Sequence, residues 1–220
     1  MIFENIEVAH EDAVVIVTIN RPKVLNALNR QTIDELHQVM AEVARSESIR
    51  CVVLTGAGDK AFCTGGDQGD KGRGRHGTGT LGVPVEIIHN TIRAVPKPVI
   101  AKVRGYAIGG GNVIATICDL TIASETAIFG QVGPKVGSVD PGFGTAYLAR
   151  LVGEKKAREM WYLCRRYSAA EALAMGLVNA VVEPEDLRST AQELALEIAS
   201  GAPIAARYAK ETVLKGMDMT

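Results

Sequence analysis

A chain of 220 residues with 47% hydrophobic content is long enough to bury a sizeable core, and is read as one globular unit. Its formal net charge of −1 supplies no basic field, which excludes nucleic acid and an anionic membrane surface as electrostatic partners. Four cysteines (51, 63, 118 and 164) form no C-x-x-C pair, so they read as reduced core residues, with no metal site and no disulfide frame.

In chain order, β-branched runs over 6–19 around His10-Glu11-Asp12 predict an opening hairpin, ended by Asn20-Arg21-Pro22. Thr32-Ile33-Asp34-Glu35 reads as a capping box, and Ile33, Leu36, Met40 and Val43 recur at helical spacing behind it. A strand is expected at 50–55. The six glycines of 69–82, with Lys71, Arg73, Arg75 and His76, predict a mobile loop. A helix over 84–94 leads through Pro96-Lys97-Pro98 to a second strand, a buried helix at 112–118 and a strand at 119–123. Residues 142–164 read as two helices meeting near Gly153. Ser168-Ala169-Ala170-Glu171 is a second capping box, and Gly176 sits where a helix ends. A short strand over 177–182 and helices near 185–199 and 203–216 complete the chain. Strand and helix alternate through the first two thirds, so the class is α/β with a helical tail. The expected division is a core over 1–184 and a C-terminal helical region over 185–220.

The chemistry points to two glycine clusters, each placed after a β-branched run. One is Phe62-Cys63-Thr64-Gly65-Gly66-Asp67; the other is Gly105-Tyr106-Ala107-Ile108-Gly109-Gly110-Gly111-Asn112. Glycine lets main-chain N–H groups turn outward and a ligand approach closely. Brought together, two such N–H groups can hold one carbonyl oxygen as it becomes an oxyanion. The competing fingerprint Gly56-Ala57-Gly58-Asp59-Lys60-Ala61 follows a strand but opens no helix, and Gly77-Thr78-Gly79-Thr80-Leu81-Gly82 follows no strand. Neither reads as a nucleotide site. The four histidines (10, 37, 76, 89) are scattered along the chain and form no motif. The N-terminus carries no basic-then-apolar segment, and no apolar run approaches membrane-spanning length, so a soluble, cytoplasmic protein is expected.

These motifs, with Pro96-Lys97-Pro98 and Ala172-Leu173-Ala174-Met175-Gly176-Leu177-Val178, resemble the crotonase (enoyl-CoA hydratase/isomerase) superfamily over essentially the whole chain. The resemblance implies a spiral of ββα repeats, an acyl-CoA substrate, and a homotrimer or dimer of trimers. It assigns the oxyanion N–H groups to Gly66 and Gly110. It also implies that Thr64, Gly65, Asp67, Gln68, Tyr106, Ala107, Ile108, Gly109 and Val132 shape the site or touch CoA, Tyr106 rather as packing behind the second cluster. Two positions that carry catalytic glutamates in the hydratases hold Val113 and Gly133 here, and neither side chain transfers a proton.

The run from Phe129 to Asp140, with Lys155 to Cys164, resembles dihydroxynaphthoyl-CoA synthases and, more closely, ring-opening 2-ketocyclohexanecarboxyl-CoA hydrolases. Leu25, where the synthases would carry an arginine for CoA, leans the same way. That branch implies an enolate mechanism with Asp140 as acid/base and Ser138 binding the ring oxygen or the attacking water. Asp140 has a second reading, as a cap on the helix that follows near Gly142. Gln131 and Gly133 match positions that hold a bicarbonate in the synthases. No metal or redox cofactor is called for, because coenzyme A is part of the substrate. Both relatives continue beyond the point matching Thr220, so a truncated C-terminal cap is expected. The reading from another class is a crotonase scaffold that binds acyl-CoA without turnover.

Overall fold

The computed structural model describes residues 3–67, 84–140 and 142–216. Two sheets carry the fold. The larger is built from β1 (Ile6–Glu11), β2 (Val14–Ile19), β3 (Cys51–Gly56), β5 (Val99–Val103), β7 (Leu120–Ser124) and β10 (Ala180–Val182), in the order β1-β2-β3-β5-β7-β10. The smaller runs β4 (Ala61–Cys63), β6 (Tyr106–Ile108), β8 (Ile128–Gly130) and β9 (Arg166–Ser168). Among the described residues, only the β1–β2 hairpin and the β8–β9 pair are antiparallel. The opening hairpin and the predicted strands are therefore present.

The helices are α1 (Arg30–Arg45), α2 (Val85–Ala94), α3 (Gly110–Ile117), α4 (Gly133–Val136), α5 (Leu148–Val152), α6 (Glu154–Leu163), α7 (Ala169–Ala174), α8 (Leu187–Ser200) and α9 (Pro203–Gly216). One arrangement recurs along the chain: a long strand in the large sheet, a short strand in the small sheet, then a helix. It appears as β3-β4-α2, β5-β6-α3 and β7-β8-α4. Each pass leaves the end of its short strand beside the previous one, so the small sheet collects three loop ends in one place.

Side-chain alternation explains why the large sheet sits inside the molecule. In β3, Val52 and Leu54 enter the main core, while Cys51 and Val53 enter a second apolar layer on the opposite face. In β5, Val99, Ala101 and Val103 face the first and Ile100 the second. Strands buried on both faces read as continuous β-branched runs, as these do. α1 covers the main core with Ile33, Leu36, Val39, Met40 and Val43, and α8 covers the second layer with Leu187 and Ala195.

Two expectations shift. The first helix is capped by Asn29, whose Oδ1 accepts from Thr32 N–H at 2.8 Å; Thr32 is not the cap. Glu35 turns away to accept from Glu4 N–H and Asn5 N–H, both at 2.9 Å, and so ties the N-terminal strand to α1. Ahead of α5, Gly142–Tyr147 winds as a π-type turn and not as ordinary helix. The second capping box, at Ser168, forms as expected. The loop predicted over 69–82 lies outside the described residues. Among those described, no helix is long and apolar enough to cross a membrane.

Candidate active site

The first glycine cluster is fixed from its outer side. Leu28 N–H donates to Gly65 O at 2.7 Å, and Asp67 N–H donates to Leu28 O at 2.8 Å. In such a parallel bridge the residue between those two bonds, Gly66, directs its own N–H away from Leu28. Asp67 is held by Arg21 Nη2 at 2.9 Å, and the same guanidinium donates to the Ala27 carbonyl. Thr64 Oγ1 donates to Leu25 O at 3.2 Å. Cys63, at the base, is fully buried, and burial pushes its thiol up to about 12.

The second cluster opens α3. Gly109 has φ +57 and donates its N–H to Gly130 O at 2.9 Å, and Gly110 is the first helical residue. The N–H groups of a helix's first turn have no acceptor within the helix. The two clusters touch so closely that only glycine fits. A Cβ on Gly65 would lie 2.8 Å from Gly110 N, one on Gly110 would lie 3.1 Å from Gly65 Cα, and one on Gly111 would lie 1.9 Å from Cys63 O. Gly66 and Gly110 line the same cavity, of about 810 Å³. That volume suits a ligand arm such as pantetheine.

Another part of the cavity wall comes from the segment after β8. Gly137 takes φ +70, and Ser138 N–H closes α4 onto Gly133 O at 2.9 Å. Gly133 has no room for a side chain, since a Cβ there would lie 2.3 Å from Ser138 O and 2.5 Å from Trp161 Cζ3. Asp140 Oδ1 accepts from Gly142 N–H at 3.1 Å and from Gly144 N–H at 3.0 Å. The indole of Trp161 in turn donates to the Gly144 carbonyl. Asp140 thus caps the turn and faces the cavity at once; its two sequence readings are compatible.

Of the residues singled out from sequence, Thr64, Gly65, Gly66, Asp67, Gly109, Gly110, Gln131, Val132, Gly133, Ser138 and Asp140 line this cavity. Tyr106, Ala107 and Ile108 do not. They form an inner strand of the small sheet, where Ala107 and Ile108 are buried and the Tyr106 ring carries the Arg166 guanidinium at 5.3 Å. Gln68 lies outside the described residues. Val113 lines the cavity where the hydratases would carry a glutamate, and the Gln131 amide nitrogen is buried without a partner among the described residues.

Sequence reasoning missed the residues that α2 and the π-type turn supply: Glu86, His89, Asn90 and Phe143. His89 Nδ1 lies 3.6 Å from Asp140 Oδ2, and the ring meets Phe143 edge-on at 5.8 Å. Burial holds the imidazole below its ordinary pKa, against the opposing pull of Asp140 and Glu86. The only advance signal was Glu86 and His89 three apart on one helix face.

A sequence profile described as enoyl-CoA hydratase/isomerase matches residues 9–220. Among solved structures, an enoyl-CoA hydratase/carnithine racemase from Magnetospirillum magneticum superposes with a TM-score of 0.92 at 32% identity, over 99% of this chain and 83% of its own. An enoyl-CoA hydratase from Bacillus anthracis gives 0.90 at 37%, over 98% and 84%. A monofunctional enoyl CoA isomerase from M. smegmatis gives 0.84 at 30%, over 97% and 94%. With its ββα passes and paired glycine clusters, the chain belongs to the enoyl-CoA hydratase/isomerase family, the crotonase superfamily of acyl-CoA enzymes.

Proposed function

We propose that this acyl-CoA enzyme opens a ring by hydrolysis, taking a 2-oxocycloalkane-carboxyl-CoA such as 2-ketocyclohexanecarboxyl-CoA to an open-chain dicarboxylic acid mono-CoA ester, here pimeloyl-CoA. Water adds to the ring ketone and gives its proton to Asp140. The tetrahedral alkoxide collapses, the bond from that carbon to the α-carbon breaks, and its electron pair passes into the thioester carbonyl. Gly66 N–H and Gly110 N–H hold the resulting enolate oxygen. Asp140 returns the proton to the α-carbon, and Ser138 binds the ring oxygen or the water. Every step uses water and the chain's own residues. One oxyanion donor is worth about 3–4 kcal/mol of barrier, so the glycine pair is the largest contribution.

One observation carries this reading: the cavity offers Val113 and Gly133 where two-glutamate hydration needs carboxylates, and Asp140 instead. Of the other carboxylates on the cavity wall, Asp67 is paired with Arg21, and Glu86 stands on the exposed first turn of α2. Asp140 is fixed by two main-chain N–H groups on the wall of the cavity that the glycine pair also lines. The Gln131 amide nitrogen, without a partner among the described residues, favours a second reading. An anion held between Gln131 and Gly133 would act as base in a carbon–carbon bond-forming dihydroxynaphthoyl-CoA synthase.

The test is to offer 2-oxocyclohexane-carboxyl-CoA and follow pimeloyl-CoA by mass spectrometry. Asp140→Asn is expected to remove product; full rate in that variant, or no product from the native enzyme, rejects the reading. Dihydroxynaphthoyl-CoA formed from succinylbenzoyl-CoA promotes the synthase. The family resemblance supports a homotrimer or dimer of trimers, which light scattering reads directly.

A further inference from the structure

We propose that His89 is the positioning residue of the acid/base centre: its Nδ1–H holds Oδ2 of ionised Asp140 while the Gly142 and Gly144 N–H groups hold Oδ1. The 3.6 Å between Nδ1 and Oδ2 closes to a hydrogen bond with a small side-chain rotation, the kind of tightening that substrate binding brings. With Oδ1 already taken by two donors, the third fixes the carboxylate plane and leaves Oδ2 a lone pair toward the cavity.

The surroundings choose the tautomer. A proton on Nε2 would leave the Nδ1 lone pair facing a carboxylate oxygen, which repels it. It would also bury an N–H with no acceptor, because Nε2 has no partner among the described residues. A proton on Nδ1 removes both penalties. Phe143 packs edge-on against the ring and fixes its plane. The charged groups acting on the ring are Asp140 across the cavity wall and Glu86 one turn back on α2. Arg93, one turn on, is drawn onto the Phe143 and Tyr147 rings at 4.9 Å each. On the neighbouring α1, His37 is bonded to Thr91, and α3 contributes no ionisable side chain. Burial keeps the ring neutral near pH 7, so it donates without carrying charge into the cavity.

The kinetic consequences rest on the ring-opening reading; the pairing itself is tested without substrate. Long-range ¹H–¹⁵N spectra of the histidine-labelled full chain between pH 5 and 8 are expected to show a neutral Nδ1–H ring at neutral pH. In Asp140→Asn the charge that raises His89 is gone, and its titration is expected at lower pH. With the ring substrate, His89→Leu is expected to lower kcat/KM about 10²-fold and to displace the acid-side limb of its pH profile upward. His89→Asn, whose amide N–H stands close to the place of Nδ1–H, is expected to return that limb to the wild-type position. A proton on Nε2, a His89 titration unmoved in Asp140→Asn, or Leu and Asn variants equally impaired with an unmoved limb overturns the assignment. An Nδ1–H tautomer in an enzyme that opens no ring rejects the proposed reaction and supports the pairing.

Discussion

Gly65 shows how little freedom the oxyanion site leaves. Its φ is +84, and any side chain would press on Gly110 N. Gly65→Ala is expected to cost about 1–2 kcal/mol of backbone strain and, by spreading the donor pair, about 10²-fold in kcat. Steady-state kinetics beside a urea titration separates the two effects. Gly133 gives the complementary experiment. Installing the two hydratase glutamates as Val113→Glu with Gly133→Glu is expected to yield no hydration of crotonyl-CoA. The new Cβ at 133 collides with Trp161 and Ser138, and the overpacking costs about 1–3 kcal/mol. The glycine pair was legible because a turn that admits only glycine writes itself into the sequence. His89 was not, because a histidine on an amphipathic helix looks the same whether it meets solvent, core or a carboxylate some fifty residues on. Only the fold brings Asp140 to it.

Helices and strands were legible in proportion to how local their causes are. The Ser168 capping box is closed within four residues, and it formed: Glu171 N–H donates to Ser168 Oγ while Ser168 N–H donates to Glu171 Oε2. Ser168→Ala is expected to cost about 1 kcal/mol, read from the urea midpoint. The pattern at Thr32-Ile33-Asp34-Glu35 misled because Glu35 finds two better donors in the N-terminal segment, a tertiary competitor no local window contains. The attachment of α9 is of that kind too. Lys210 is buried and donates to Ile92 O at 3.1 Å, Lys97 O at 3.0 Å and Asp119 Oδ2 at 2.7 Å, while Asp119 Oδ2 also accepts from Val99 N–H. One ammonium thus ties the last described helix to the end of α2 and the starts of β5 and β7. Lys210→Met is expected to cost about 1–3 kcal/mol, since it removes the shared donor of the Asp119 carboxylate and of two carbonyls. Hydrogen exchange should then rise across 203–216 before it rises in the sheet.

The molecule as a whole is bounded in pH from both sides. On the acid side His89 decides, because its folded pKa lies below that of the unfolded chain, near 6.5. Between those values the unfolded state binds the extra proton, so stability present above about pH 6.5 is lost as pH falls toward the folded value. On the alkaline side the thiols decide. Burial pushes Cys51 and Cys63 up to about 12, and Cys118 higher still, whereas an unfolded thiol ionises near 8.5. Stability from these raised groups is complete below about pH 8.5 and drains away as pH climbs toward 12. Tyr167, raised to about 12 by burial and its bond to Glu159, adds to the same loss above pH 10. Lys102 opposes it, since its lowered pKa means a rising pH relieves a desolvated ammonium. Three thiols and a phenol outweigh one amine, so urea midpoints from pH 5 to 10.5 are expected to trace a plateau near pH 7–8 that falls at both ends. Cys63→Ala should make the alkaline fall shallower, with Cys51, Cys118 and Tyr167 still contributing, and leave the acid one alone, while His89→Asn should lessen the acid fall alone. A Cys63→Ala curve still as steep above pH 9 as the native one would mean that the Cys63 thiol ionises without unfolding, and that the floor of the glycine cluster is open to water.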